Sequence, residues 1–563
     1  MLGLKHSLLA GVVVHQIIQR REPTILQFLS GLFLFNFVVF LQAFFSSTSH
    51  HSELFTAFLS LRSAFFLSSA FLLSLLLSIV VYRLSPIHPL AGYPGPVPAK
   101  ISKWWVAWWI TKGDRHLVLQ KLHEQYGPWL RIGPNELSVN LPSAVRPIYS
   151  QMFRAPFYQG SPQDADALIT TTSRSEHASR LVSWSKAFSS EPLRRFRELA
   201  HARTAQLVEI LHRESSSTLI SDGKVDLSHW IPLWSMDVMG DMSFSGGFEM
   251  LAAGKDSEGW MEALHKGVMF VVVIGQLPWL RDLIALLPAP GPIITFRRFA
   301  NSKVKETRSN SDEGGVAGKL NILGIIQNPS SSGPVLTHAE AAADASFIVI
   351  AGSNTVSEGS TALLRYIIGD RQIQDHIRKE LAALEKEDVD LEMDSGSAKL
   401  ARLEYLDACV MEALRIMPPV AAGPPRYADR PTQVLDQVIP QGTTVSCPIW
   451  TMHRDPANFT QPEKFIPERW LSNGSHPSLK NMKGEMEYLH NTEAFVPFTY
   501  GPVVCIGKPV ALHNMKYLIA KLLASFEIEF ADRFDVTAFD QSWKEHNLWI
   551  HNPLAVKMKP LQM

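Results

Sequence analysis

The residue type and spacing best suited to chemistry surround Cys505. It lies in Phe498-Thr-Tyr-Gly501-Pro502-Val503-Val504-Cys505-Ile506-Gly507, just ahead of an apolar helical run that begins at Val510. A thiol at a helix N-terminus meets free backbone N–H groups and the positive end of the helix dipole, and both favour the thiolate. A thiolate suits an iron whose axial ligand must push electron density toward O–O cleavage. Gly501 and Gly507 let the backbone take turns that a Cβ forbids and approach a flat ligand closely. A phosphate-binding loop does not fit, because these glycines are one residue too far apart and Lys508 precedes Pro509. Cys409 and Cys447 lack such surroundings and read as small buried hydrophobes.

A second constellation lies on a long helix. Thr337-His-Ala-Glu340 is a capping box, and Ala339 to Ile350 is strongly helix-compatible. Inside the run stand Ala351-Gly352-Ser353-Asn354-Thr355. A mid-helix glycine costs about 1 kcal/mol against alanine, so Gly352 needs a reason: a kink at a packing contact, or room for a small ligand. Thr355 is placed to bond the Ala351 carbonyl four residues back. A third constellation is Glu412-Ala-Leu-Arg415, whose charges share one helix face. Apolar flanks and Pro418-Pro419 predict that the pair is buried. A buried pair needs further partners, and Arg469 in Phe465-Ile-Pro467-Glu468-Arg469-Trp470 can supply one. His453-Arg454-Asp455 also matches a kinase catalytic loop, but no Gly-rich loop or Asp-Phe-Gly supports that reading.

Ala351-Gly352-Ser353-Asn354-Thr355, similar to A-G-x-[DE]-T, then E-x-x-R, P-E-R-[WF] and the pattern F-x-x-G-x-x-x-C-x-G, in that order along the chain, resemble the cytochrome P-450 family from about Pro94 to Leu561. The resemblance implies a mainly α (α+β) fold with haem b between the long helix and the Cys505 loop. It implies Cys505 as the axial thiolate and iron ligand, with Phe498, Gly501 and Gly507 shaping the loop. Gly352, Asn354 and Thr355 become the oxygen-activating set, and Glu412, Arg415 and Arg469 the cluster that braces the haem pocket. Arg426, His177 and Arg180 are the expected propionate partners. Two departures stand out. Asn354 replaces the usual acid, and an amide cannot carry a proton as a carboxylate does, so delivery would rest on Thr355 and water, with Glu358 one turn on. Val503 replaces the usual Arg or His two residues before the cysteine. The activity implied is a monooxygenase that takes electrons singly from a separate NADPH–cytochrome reductase, with cytochrome b5 as a further donor, since little chain follows the haem loop. A haem-thiolate isomerase or dehydratase needing no external electrons, and a non-catalytic haem-binding membrane protein, are the alternatives.

These residues must be positioned by a chain of 563 residues with 46% hydrophobic content and zero net charge, which gives no sign of a nucleic-acid partner. Three cysteines cannot form a disulfide framework, so a reducing compartment is expected. Residues 1–85 read as a membrane anchor. Ile25 to Phe45 and Ser63 to Tyr82 are each about 20 apolar residues, enough to cross a bilayer. Leu8 to Ile18 is shorter, and reads as a third span, an interfacial helix or a signal-like segment. Arg20, Arg21 and Arg83 put both hairpin ends in the cytosol by the positive-inside rule, although Arg62 conflicts mildly. The expected location is therefore the endoplasmic-reticulum membrane with the catalytic domain, residues 99–563, facing the cytosol. Residues 86–98 form a proline-rich hinge, expected to be stiff, extended and non-helical. Trp104-Trp105-Val-Ala-Trp108-Trp109 suits the membrane interface, with some of the four in the core. Strands are expected at Trp129–Ile132, Glu136–Val139 and around Thr443 to Ile449, and a mobile loop from Ser309 to Pro334. Val268 to Leu287 reads as core helix or, by the resemblance, as part of the substrate entrance. The anchor favours a lipophilic small molecule arriving through the bilayer, and the wording of the motifs looks fungal, suggesting secondary metabolism or detoxification.

Overall fold

A computed structural model describes residues 3–19, 25–46, 53–160, 165–216, 224–288, 291–312, 321–328, 333–385, 400–471 and 488–561. At the N-terminus, α1 (Leu4–Ile18), α2 (Ile25–Ser46) and α3 (Glu53–Leu84) pack as a group. The approach of α1 to α3 is close: a Cβ on Gly11 would stand 2.7 Å from the Phe71 carbonyl oxygen. Ser74 Oγ donates to the Leu8 carbonyl at 2.6 Å, and His15 Nδ1 lies 2.8 Å from Ser78 Oγ. Among the described residues Leu61–Leu84 is the one unbroken helix long and apolar enough to cross a membrane, while α1 and Leu26–Val38 are shorter. Arg20 and Arg21 lie outside the described residues.

The hinge departs from expectation. Residues 85–93 form successive turns, and a short helix, α4 (Val97–Ile101), begins with proline in its first turn. Proline fits there because its missing N–H would have no intrahelical partner anyway. The four tryptophans follow on α5 (Trp104–Lys112): Trp104 and Trp108 are exposed, while Val106, Ala107 and Ile110 are buried between them.

Most of the remaining chain is helical. The helices that shape the interior are α6 (Pro142–Gln151), α7 (Arg174–Ala187), α8 (Leu227–Phe244), α9 (Trp260–Gln276), α10 (Gly291–Asp312), α11 (His338–Gly369), α12 (Glu404–Ile416) and α13 (Lys508–Ser525). The long helix α11 starts at the expected capping box: Glu340 N–H donates to Thr337 Oγ1 at 3.2 Å, and Thr337 N–H donates to Glu340 Oε2 at 2.7 Å. It runs through the middle of the molecule, packed by α8, α10, α12 and α13. Its second half buries Leu363, Leu364 and Ile367 completely, each contributing about 1.5–3 kcal/mol relative to exposure. The apolar stretch after Val268 is not one helix. It breaks after Gln276, where Pro278 removes a donor, and resumes at a bend of 109°. The stretch from Ser309 is not all loop either, since α10 reaches Asp312 and Ile322–Gln327 is helical; residues 313–320 and 329–332 lie outside the described set.

Among the described residues eight strands build the two larger sheets: β1 (Trp129–Gly133), β2 (Glu136–Val139), β3 (Phe153–Arg154), β4 (Lys224–Asp226), β5 (Arg426–Tyr427), β6 (Thr444–Ser446), β7 (Phe526–Phe530) and β8 (Ala555–Pro560). The first has the order β1-β2-β6-β5-β3, parallel only between β2 and β6, and its last pairing sets Arg154 directly opposite Arg426. The second has the order β4-β8-β7.

Candidate active site

The Cys505 loop is held by its own backbone. Cys505 N–H donates to the Phe498 carbonyl at 3.1 Å, and Val504 N–H to the Gly501 carbonyl at 3.1 Å. Gly501 has φ +82°, and a Cβ there would lie 2.4 Å from the Tyr149 carbonyl oxygen of α6. Its glycine therefore serves the turn and the approach to α6, not a flat ligand. Gly507 differs, because a Cβ on it would meet only Cys505 Sγ, at 3.8 Å. The thiol sits just before α13. Burial pushes its pKa up, against the N–H groups of Gly507 and Lys508 and the Lys508 ammonium, which pull it down. The helix terminus thus acts in the direction that the sequence expects, and desolvation opposes it. A bound metal cation is what deprotonates a thiol in such a place.

Cys505 is exposed, and the surface it exposes lines a cavity of about 1400 Å³. Pockets for a single small molecule run to roughly 300–1000 Å³, so this one has room for a prosthetic group and a substrate together. Phe498, Val503, Gly507 and Ala511 line it around Cys505, and Ala351, Gly352, Thr355 and Val356 line it from α11. Thr355 Oγ1 donates to the Ala351 carbonyl at 2.7 Å, as the spacing predicts. Gly352 has a packing reason: a Cβ there would stand 2.4 Å from Met239 Sδ and Cε on α8. Asn354 does not line the cavity. Its side-chain amide lies 2.9 Å from His265 Nε2 on α9 and donates to it, joining the long helix to α9. Glu358 is also turned away, 3.0 Å from His551 Nε2.

The cationic lining of the cavity has members that sequence reading missed, Arg115, Arg154 and Arg297 among them. Arg426 and His177 line it as expected, and so does Arg154. Like charges set directly opposite across a sheet are destabilising, so the Arg154–Arg426 register calls for an anion between them. Arg154 is satisfied in part by the carbonyls of Leu168 and Thr171, at 2.7 and 3.2 Å, but the buried Arg426 Nε has no partner. Burial, with Arg154, Arg180 and Arg426 nearby, brings His177 down to about 4. The nearby Arg180 is committed elsewhere. Its Nη2 donates to Asp344 Oδ2 of α11 at 2.7 Å, and Nη1 to the Asp166 carbonyl at 2.8 Å. It therefore fastens α7 to the long helix instead of facing the cavity. A thiol, an apolar slot and two facing arginines fit a flat apolar ring system that carries carboxylates, which is the donor set haem requires.

Behind the loop, Glu412, Arg415 and Arg469 form one cluster with fully buried side chains. Glu412 accepts from Arg415 Nε and Nη2 at 2.9 and 2.8 Å, Arg469 Nε at 3.0 Å, Ile466 N–H at 2.9 Å and Trp470 Nε1 at 2.9 Å. Burial alone would raise its pKa, but the two guanidinium groups and these donors hold it below the usual carboxylate value. Arg415 Nη1 also binds the carbonyls of His453 and Pro462, at 2.8 and 2.7 Å. His453 takes the Val496 N–H on Nε2 at 3.1 Å and so offers Nδ1–H to the Arg415 carbonyl, 3.0 Å away. His453 is a buried neutral strut, with no kinase-like role, and burial brings it down to about 3. Phe495 stacks on it. The cluster thus carries the segment that leads into the Cys505 loop.

Comparison with known proteins agrees with this geometry. The model of the family described as cytochrome P-450 matches residues 94–558. The chain is similar to cytochrome P-450 67 of Uromyces fabae, 29% identical over 98% of each chain. It is similar to tryprostatin B 6-hydroxylase of Aspergillus fumigatus, 29% identical over 85% of this chain and 82% of that one. Trichothecene C-15 hydroxylase of Fusarium sporotrichioides is 29% identical over 87% of this chain and 96% of that one.

Proposed function

The chain belongs to the cytochrome P-450 family, and from that premise we propose that it inserts one atom of dioxygen into a lipophilic small molecule, by hydroxylation, epoxidation or a related oxidation. The observation that carries this reading is Cys505 opening into the same cavity as Thr355 and Gly352. Haem bound there would be held by the Cys505 thiolate and would supply redox chemistry with dioxygen. Arg154, Arg426 and His177 would hold its carboxylates by charge and hydrogen bonding. The predominantly apolar lining excludes bulk water and orients an apolar substrate. Thr355 is the proton-organising residue at Oγ1, released from the Ala351 carbonyl when a water binds. Neither Asn354 nor Glu358 shares that duty, because both are engaged outside the cavity. Electrons come from a separate NADPH-dependent reductase, with cytochrome b5 as a second donor. Residues 1–85 anchor the enzyme to the endoplasmic reticulum through the apolar helices, with the catalytic domain, residues 99–563, in the cytosol and the hinge 86–98 between. The hydroxylase names of the relatives support a place in fungal secondary metabolism.

Microsomes containing the full chain test the reading. Reduced protein with carbon monoxide should show the strongly red-shifted Soret band of a thiolate ligand, and Cys505→Ala should lose it. With reductase, NADPH-dependent oxygen consumption should rise on adding substrate. The asparagine at 354, in place of an acid, is the observation that favours an electron-independent isomerase or dehydratase. Turnover without reductase would establish that reading and sink the monooxygenase.

A further inference from the structure

One wall of the cavity carries charge that the Cys505 chemistry does not use. Arg115 and Glu136 both line it, and each is only 6% exposed. Both are already paired. Arg115, at the start of the helix Arg115–Tyr126, donates from Nε and Nη2 to the buried Glu545, at 3.0 and 2.6 Å. Glu136 on β2 accepts from Lys103 Nζ on Oε2. The Arg115 charge also reaches Lys103, whose pKa burial and that charge bring down to about 7, so the two pairs are neighbours. Two polar atoms are left over. No described residue bonds Arg115 Nη1 or Glu136 Oε1, and neither atom is closed off from the probe of a water molecule. Leu119, Ile132 and Leu548 share this lining and are buried as well, so the surface the two atoms keep belongs to the cavity. The groups are also held in place. Glu545 accepts the Asn547 N–H at 2.8 Å and donates its own to the Gly113 carbonyl at 2.8 Å. On the other pair, a Cβ on Gly133 would lie 3.0 Å from both Glu136 Cβ and Lys103 Cδ.

We propose that Arg115 and Glu136 form a specificity-determining subsite for a cyclic secondary amide, a lactam, on an otherwise apolar substrate. Arg115 Nη1 donates to the amide carbonyl, and Glu136 Oε1 accepts the amide N–H. A lactam suits one wall because its ring keeps C=O and N–H side by side. Each ion pair is neutral as a whole, so this wall calls for a dipole. The Arg154–Arg426 edge differs, since among the described residues no acid pairs with either guanidinium group there, and it calls for an anion. A hydrocarbon would strip water from both leftover atoms and replace none of it, and sites built to bond a polar group discriminate against analogues that lack it. This rests on the monooxygenase reading only in taking the cavity as the place where substrate binds.

The test uses the haem-loaded full chain in bilayer discs and sets of rigid bicyclic lactams, each with the lactone and the cycloalkane of the same skeleton. Binding is read by equilibrium dialysis against protein-free discs, which needs no turnover. Two variants remove a whole pair, a change that is commonly neutral for stability. In Lys103→Met/Glu136→Met the lactam-to-lactone ratio of affinities should fall about tenfold from its wild-type value, the worth of one hydrogen bond to a charged group. In Arg115→Met/Glu545→Met the lactone-to-cycloalkane ratio should fall by a similar factor. Glu136→Gln, which keeps shape and loses charge, should lower the first ratio in part, so the proposal does not hang on the double variants folding. Ratios that stay within about twofold of wild type in the variants overturn the assignment, as does absence of any lactam preference in wild type. Tighter binding of the ring-opened carboxylate than of its lactam also overturns it, in favour of an anion site. Failure of the family reading would appear separately, as loss of the thiolate spectrum in wild type.

Discussion

Glu412→Gln removes one charge and almost no volume from the cluster behind the Cys505 loop. The carboxylate satisfies two guanidinium groups, one backbone N–H and one indole N–H, and neither it nor the arginines reach solvent. The amide leaves Arg415 and Arg469 buried without a counter-charge and points its own N–H groups at donors. Removing one member of a buried pair costs about 3–5 kcal/mol, or roughly two to nearly four orders of magnitude in the folded-to-unfolded ratio. Set against total stabilities of about 5–15 kcal/mol, that is enough to empty much of the haem-loaded population. The assay is denaturant unfolding, read in parallel with the fraction of chain showing the thiolate spectrum. The pH sign provides an independent check. Glu412 is held below its ordinary value of 4.5, so its stabilisation is present above the unfolded pKa and is lost as pH falls through the folded one. The variant should lack that acid-side loss. A Glu412→Gln protein within about 1 kcal/mol of wild type, fully haem-loaded, would refute the argument that this cluster braces the loop, since a surface pair is worth that little.

Gly352→Ala should change stability by no more than about 1 kcal/mol in thermal unfolding, because the Met239 thioether that a Cβ would meet is the free end of a flexible side chain and alanine gains helix propensity; a larger loss would show that Met239 cannot move aside. Thr355→Ala should retain the thiolate spectrum but release more hydrogen peroxide per NADPH consumed; unchanged coupling would show that Thr355 does not organise the proton. His551 pairs with Glu358, which raises its pKa above 6.5 despite burial. Its contribution to stability is therefore full below 6.5 and fades as pH rises through the folded value. In a pH series of unfolding midpoints, His551→Gln should remove that loss on the alkaline side.

What could be read from the sequence was what short-range chemistry enforces. The Thr337 capping box, the strands at Trp129 and Glu136 and the Thr355–Ala351 spacing are local rules, and the chain obeys them. The glycines of the Cys505 loop announced a tight turn, but not that Gly501 would press on Tyr149, 352 positions earlier in the chain. Arg154 carried no signal of its own; only the pairing of β3 with β5, set by tertiary register, brings it to Arg426. Arg180 and Asn354 were placed by their helices correctly enough, yet side-chain direction was decided by partners, Asp344 and His265, that no local pattern names. The short helix that begins at the end of the hinge was hidden by its prolines, which read as breakers although the first turn of a helix accepts one.

The facing arginines of β3 and β5 also bear on how the enzyme is assembled. They close the edge of the first sheet, and β3 is only two residues long. A dianionic cofactor held between them would bind the folded edge and not the unfolded one, so its binding energy would become local folding energy. In a chain without it, the repulsion falls on the weakest strand of the sheet, which is where amide hydrogens would exchange first. The edge would then act as a checkpoint, opening more often in the empty chain, where proteases and chaperones can reach it, than in the loaded one.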